Sequence, residues 1–231
     1  MPRLSFIVPA LDEAERINRH LLRLEPLRRR GHEVILVDGG SHDGTPELAR
    51  GLADRVSVAP RGRASQMNAG AALARGDILV FVHADTALPE DADRHIAQGL
   101  AATGSGWGRF DVRIEGKHPL FPAIAWFMNR RSRLTGIATG DQCLFARREV
   151  FFRAGGFPDI PLMEDIAISK ALKTLGAPLC LACRAVTSGR RWESRGVCRT
   201  VLTMWRLRLC FFLGANPERL ARAYGYEPRQ D

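Results

Sequence analysis

The chain has 231 residues, 45% apolar and 26% charged, which suits a globular α/β protein able to bury a core and excludes a disordered or low-complexity one. Its formal net charge of +9 rests almost entirely on Arg rather than Lys. A solvated basic surface accounts for that charge. Beyond it, phosphates and anionic lipid are the partners it would attract, and no binding motif supports nucleic acid.

Met1-Pro2-Arg3 runs straight into a strand-like segment, so no signal peptide is expected. The longest apolar stretch, residues 201–213, carries Arg206 and Arg208 and is too short to span a bilayer. Five cysteines, an odd number, predict reduced thiols and a cytoplasmic protein. Cys180 and Cys183 have CxxC spacing, but without a second pair or a His cluster they read as core residues rather than zinc ligands.

Residues 4–10 (LSFIVPA) predict a buried strand, and Asp12 is placed to cap an amphipathic helix running to about residue 30. Residues 33–38 (EVILVD) predict a second buried strand, closed by Gly39-Gly40-Ser41. Thr45 opens a helix ending near Ala53, and residues 55–59 form a short strand. A helix over 63–75, stopped by Gly76-Asp77, leads into the most apolar strand, 78–82. This alternation predicts right-handed βαβ units and a mostly parallel central sheet with helices on both faces.

The second half is less regular. It predicts a strand over 104–114, a helix over 118–134 bearing Arg130, Arg131 and Arg133, and a strand over 142–146. A loop and helix over 161–175, a strand over 178–187 and an Arg-bearing helix over 197–213 follow. No linker separates the halves. One domain over 1–231 is expected, with a nucleotide-binding half at about 1–103 and an acceptor half at 104–231.

Ligands of such sheets bind beyond the carboxyl ends of the strands. Three acidic segments fall there: Asp12-Glu13, Asp38 and Asp85. A diphosphate leaving group gains negative charge as its bond to a sugar breaks, and a divalent cation held by a carboxylate and the phosphates neutralises it. Asp85 is the candidate ligand, with His83 as a second ligand or phosphate contact. The competing reading makes Asp85 the cap of a helix beginning near Pro89-Glu90. Asp38 is placed to accept hydrogen bonds from a base or ribose, although Asp43-Gly44 makes a turn by itself. Glu164-Asp165 follows a Gly-Gly-Phe-Pro turn; the pair either complements a helix dipole or supplies a base for an attacking hydroxyl.

Taken together, LSFIVPALDEAERI, VILVDGGSHDGT, FVHADT, GDQCLFARREVFFRAGGFPD and MEDIAISKAL resemble family 2 glycosyltransferases of the GT-A fold, in order and over nearly the whole chain. GRASQMNAGA and HADT are similar to a bacterial subgroup associated with arsenosugar biosynthesis and with radical-SAM and selenodomain genes. The resemblance implies a hexosyltransferase type of enzyme using a nucleoside-diphosphate sugar, UDP rather than GDP, with Mn²⁺ or Mg²⁺ as cofactor. It implies that Pro9, Ala10 and Glu13 line the nucleotide pocket, that Asp38 meets base or ribose, and that Arg63, Gln66 and Asn68 border the nucleotide. Asp85 stands at the last position of the family's DxD motif, and Asp141 would face donor sugar or acceptor. Asp165, with Glu164 beside it, matches the family's catalytic base, which implies inversion at the anomeric carbon.

Two departures matter. His83 holds the first DxD position, which favours Mn²⁺ because imidazole suits transition metals. Ser188-Gly189-Arg190-Arg191-Trp192 only partly matches QxxRW, with Ser188 in place of Gln, so a single addition to a small-molecule acceptor is expected rather than polymerisation. Arg191 would then hold the diphosphate or be a surface residue. Two other readings stay open. One is a nucleotidyltransferase on a similar sheet, against which residues 10–15 lack a Gly-rich loop. The other is a non-catalytic nucleotide-binding protein held peripherally on the inner face of the membrane by helix 197–213.

Overall fold

The computed structural model describes residues 1–226, and of Arg191 the backbone alone. The first half runs β1 (Leu4–Ala10), α1 (Ala14–Arg29), β2 (Glu33–Asp38), α2 (Thr45–Ala49), β3 (Arg55–Val58), α3 (Arg63–Leu73) and β4 (Ile78–Phe81). Then come β5 (Thr86–Ala87), α4 (Ala92–Thr103), β6 (Trp107–Glu115), α5 (Phe121–Thr135) and a 3-10 turn over Gly140–Gln142. The chain continues through β7 (Phe145–Arg147), α6 (Arg148–Arg153), α7 (Glu164–Lys173), β8 (Leu179–Ser188), α8 (Arg190–Arg195), α9 (Val197–Phe212) and α10 (Pro217–Tyr224).

All eight strands join one sheet in the order β3-β2-β1-β4-β7-β6-β8-β5. The four strands β3, β2, β1 and β4 are parallel, as the buried apolar runs of β2, β1 and β4 imply, with β3 a partly exposed edge. Beyond them the pattern changes: β7 lies antiparallel between β4 and β6, β8 is parallel to β6, and β5 closes the edge antiparallel to β8. The sheet is therefore mostly parallel with an antiparallel insertion.

Alternate residues of the central strands feed two apolar layers. Phe6 and Val8 pack with Val34, Leu36, Val80 and the α1 stripe Ile17, Leu21, Leu24 and Leu27. Ile7, Val37 and Phe81 pack with Ala64, Met67 and Ala71 of α3, and with Phe151 and Ile168 of the second half. Burying each large apolar side chain stabilises by about 1.5–3 kcal/mol, so helices on both faces hold the sheet flat against neither side alone. A Cβ at Gly70 would run into Ile7 and Val37; glycine there lets α3 lie directly on β1 and β2.

Several local expectations are corrected. Asp12 does not cap α1: it adopts a positive φ of 52°, and the cap position is Glu13. The free N–H groups at that helix start are met instead by the β2–α2 turn, with Thr45 Oγ1 accepting from Glu13 N at 2.9 Å and Asp43 Oδ2 from Ala14 N at 2.8 Å. Asp12 Oδ1 returns the bond by accepting from His42 N at 3.0 Å. Asp85 caps no helix either, since Thr86–Ala87 forms β5 and α4 begins only after Asp91. The strand expected over 142–146 is β7, which starts three residues later and ends one later, because Gly140–Gln142 coils into the 3-10 turn.

Candidate active site

Parallel pairing of β1 with β2 and β4 brings their carboxyl ends to one edge, with Ala10 opposite Asp38 and Ile7 opposite Phe81. Two cavities of about 450 and 490 Å³ open beyond that edge and share the wall formed by Arg63, His83 and Asp85. The smaller is lined by Pro9, Ala10, Glu13 and Gln66. The larger is lined by Gly140, Asp141 and Asp165, and by side chains from α5, α8 and α9. Candidate residues from both halves of the chain therefore meet at one place.

The shared wall is built by the turn after β4. Val82 N donates to Ile7 O at 2.9 Å and Thr86 N to His83 O at 3.0 Å, which holds residues 83–85 at the rim. Thr86 pairs in register with Thr187 of β8. Thr86 Oγ1 lies 3.2 Å from Asp85 Oδ1 and 3.3 Å from Thr187 Oγ1, and Thr187 Oγ1 donates to Asp141 Oδ1 at 3.3 Å. This row of hydroxyls ties Asp85 to Asp141 across a sequence gap that no local pattern bridges.

The larger cavity sets Asp85, Asp141 and Asp165 against Arg63, Arg131 and Arg208. Burial, and then Asp85, push the Asp141 carboxyl up to about 6, against the pull of Arg63. Glu164, which lines neither of these two cavities, is held well above the usual carboxylate range, first by burial and then by Asp165, with Arg63 opposing. Arg63 Nη1 stands 4.0 Å from Glu164 Oε1. Burial works to discharge its guanidinium, but Tyr226, Glu164, Asp85 and Asp141 hold it above its ordinary range.

Asp165 sits in the first turn of α7. Its Oδ1 accepts from Ile166 N at 2.7 Å and its Oδ2 from Gly140 N at 3.0 Å. A Cβ at Gly140 would run into the His83 imidazole, so glycine is required for the turn to lie this close. Met163, just before the acidic pair, is buried with a φ of 71°, and Cys143 after the turn has a φ of 45°. Left-handed backbone at non-glycine residues costs about 1–3 kcal/mol and gathers at functional sites.

Other candidates have different work. Asp38 lies outside both cavity walls; its carboxylate accepts from Gly40 N and Ser41 N at 2.8 Å and from Ser41 Oγ. The turn thus uses the Asp38 carboxylate itself, where the sequence suggested a contact with base or ribose. Asn68 is outside both walls too, with its amide clamped on Phe157 by bonds of 2.7 and 3.0 Å. Gln66 lines the smaller cavity while its Nε2 donates to Ala10 O and Val37 O, fastening the ends of β1 and β2 together. The side chain of Arg191 lies outside the described residues. Sequence reasoning missed Arg131, Arg208, Trp192 and Trp205 in the larger cavity, where only the packing of α5, α8 and α9 assembles them.

The donor set suits a divalent cation. Asp85 and His83 stand together on the shared wall, and the raised Asp141 carboxyl marks negative charge that Arg63 leaves uncompensated. Among the described residues no group of three or more His, Cys, Asp or Glu side chains is arranged to hold an ion.

A mostly parallel α/β sheet opening at its carboxyl edge on two joined cavities, with acidic residues between them, is the architecture of a GT-A glycosyltransferase. The chain belongs to glycosyl transferase family 2, whose model matches residues 5–154. It is 24% identical to the poly-beta-1,6-N-acetyl-D-glucosamine synthase of Staphylococcus aureus, over 83% of this chain and 52% of that protein. The chain thus spans about half the length of the curated relatives it matches. Its fold is that of the S. aureus protein TarS in complex with UDP, at 19% identity and a TM-score of 0.64, covering 80% of this chain and 60% of that one. It is equally similar to the mannosyltransferase of Pyrobaculum calidifontis bound to GDP-Man and Mn²⁺, at 24% identity and a TM-score of 0.63, covering 90% and 61%. Among the described residues no helix is long and apolar enough to cross a membrane.

Proposed function

We propose that this chain, one GT-A domain with a nucleotide half and an acceptor half, transfers a hexose from a UDP-sugar to a small-molecule acceptor, one addition at a time and with inversion. The observation that carries this reading is the shared wall: Arg63, His83 and Asp85 border both cavities, and Asp165 lines only the larger. The smaller cavity takes the nucleotide between Pro9, Ala10, Glu13 and Gln66. UDP complexes of the TarS structure support that donor class, and the partial QxxRW match argues against polymerisation. The similarity of GRASQMNAGA and HADT to the arsenosugar-associated subgroup supports a metabolite as acceptor.

Asp85 and His83 would hold Mn²⁺ or Mg²⁺, which when bound supplies charge neutralisation for the leaving diphosphate. Arg63 adds a fixed positive charge on the same wall, kept ionised by Tyr226 and Glu164. Asp165 is positioned, through its bond to Gly140 N, to take the proton of the acceptor hydroxyl as that oxygen attacks the anomeric carbon. Ile124, Met128 and Trp192 line the acceptor side of the larger cavity. The exposed Leu202, Trp205, Leu209 and Phe212 of α9 give the protein a face for peripheral membrane contact.

Incubation with UDP-sugars and Mn²⁺, with released nucleotide followed by chromatography, tests the reading. UDP release that needs Asp85 and Asp165 is the expected result. Pyrophosphate release from a nucleoside triphosphate would instead establish a nucleotidyltransferase.

A further inference from the structure

Two arginines that the transfer chemistry leaves unused line the larger cavity, Arg131 from α5 and Arg208 from α9. Arg131 Nη2 and Arg208 Nε are buried without a hydrogen-bond partner, and neither guanidinium makes an ion pair among the described residues. Burial, and then Arg208, push the Arg131 guanidinium down to about 10, with Asp165 pulling the other way. Two like charges thus share one half-buried cavity wall, with unpartnered N–H groups that an added anion would satisfy. Met128, Trp192, Met204 and Trp205 line the same part of the wall, and Asp85, Asp141 and Asp165 stand on the donor side. Guanidinium groups present paired N–H donors that match phosphate oxygens, and two of them balance the charge of about −2 on a phosphomonoester.

We propose that the acceptor is a phosphomonoester whose phosphate seats between Arg131 and Arg208 while its hydroxyl faces Asp165. This rests on the transferase reading, because it assigns the larger cavity to the acceptor. The phosphate belongs either to a free metabolite or to a lipid headgroup, and the exposed α9 side chains beside the cavity make both reachable.

Trp192 and Trp205 report on the site by fluorescence. The full chain would be titrated with glycerol 1-phosphate and, separately, with phosphatidylcholine vesicles with and without phosphatidate. A saturable change with glycerol phosphate points to a free phosphomonoester, and one confined to phosphatidate vesicles to a lipid headgroup; either supports the proposal. Arg131→Gln and Arg208→Gln should each weaken that binding by ~10-fold or more, as expected for a lost charged hydrogen bond, while Arg131→Lys loses less. Both Gln variants should keep the thermal shift given by UDP with Mn²⁺.

Equal binding by the variants, or no response to either phosphate source, would overturn the proposal. Loss of the UDP shift in Arg131→Gln or Arg208→Gln would overturn it too, by placing these guanidiniums on the donor diphosphate. Phosphate binding in a wild-type protein that gives no UDP shift would sink the transferase reading while leaving the anion site standing.

Discussion

The Asp165 carboxylate accepts a hydrogen bond from Gly140 N at 3.0 Å, and Gly140 in turn lies directly against the His83 ring. The proposed base and the proposed metal-side imidazole are thereby set by one short turn. Any change in that turn moves both.

Replacing Asp165 by Asn keeps one oxygen able to accept from Gly140 N and removes the base. Turnover should fall by ~10²–10⁴, the usual contribution of a positioned base, with UDP affinity nearly unchanged. Single-turnover kinetics beside calorimetry separates the two effects. Wild-type turnover in this variant would remove Asp165 from the chemistry.

Gly140→Ala makes the complementary prediction. The added methyl meets His83, so the imidazole has to move. The variant should lose ~1–3 kcal/mol of stability, as overpacking does, and its Mn²⁺-dependent UDP binding should weaken more than that of Asp165→Asn. Calorimetry with and without chelator reads the difference. Unaltered metal dependence would mean that His83 plays no part at the cation.

His20 on α1 is buried, its Nε2 has no hydrogen-bond partner among the described residues, and its pKa is lowered to about 4. Burial dominates, Asp85 opposes it, and Arg23 adds to it. The unfolded chain takes up this proton below pH 6.5 and the folded chain does not, so stability rises with pH and is lost as pH falls from about 6.5 toward 4. On the order of 3 kcal/mol is at stake over that range. In His20→Leu the loss should disappear, which urea midpoints at pH 7.5 and 4.5 would reveal. A wild type and variant that weaken in parallel on acidification would contradict it.

In Asp38→Asn one oxygen can still accept from Gly40 N and Ser41 N, which share Oδ2, but the charged Oδ1 acceptor of Ser41 Oγ is lost. The expected cost is ~1–3 kcal/mol in a urea midpoint, because a charge-assisted hydrogen bond inside the turn is lost. The same turn caps α1 through Asp43 and Thr45, so UDP binding beside Glu13 should weaken as well. An unchanged midpoint would show that the turn holds without the carboxylate.

The parallel half of the sheet was readable because β1, β2 and β4 are mainly apolar runs ending in a carboxylate or a turn. Asp85 and Asp165 stood out for the same reason: acidic residues at the rim of apolar elements need an explanation. What lay hidden depends on contacts between distant segments. β5 exists only because Thr86 pairs with Thr187, and that pairing brings Asp141 to Asp85. Asn68 looks like a ligand contact in its own helix, yet its amide belongs to Phe157, 89 positions away. Arg131 and Arg208 read as ordinary basic surface until α5 and α9 enclose them. The Asp12 cap failed because the neighbouring turn supplied better acceptors than its own side chain.

Thermal unfolding against UDP, GDP, CDP and dTDP, each with Mn²⁺, Mg²⁺ or chelator, tests the central claim most directly. Ligand at a hundredfold excess over its dissociation constant adds ~2.7 kcal/mol to apparent stability. The expected result is a shift with UDP that disappears with chelator and in Asp85→Ala. No shift with any nucleoside diphosphate, or a UDP shift indifferent to both chelator and Asp85→Ala, would contradict it.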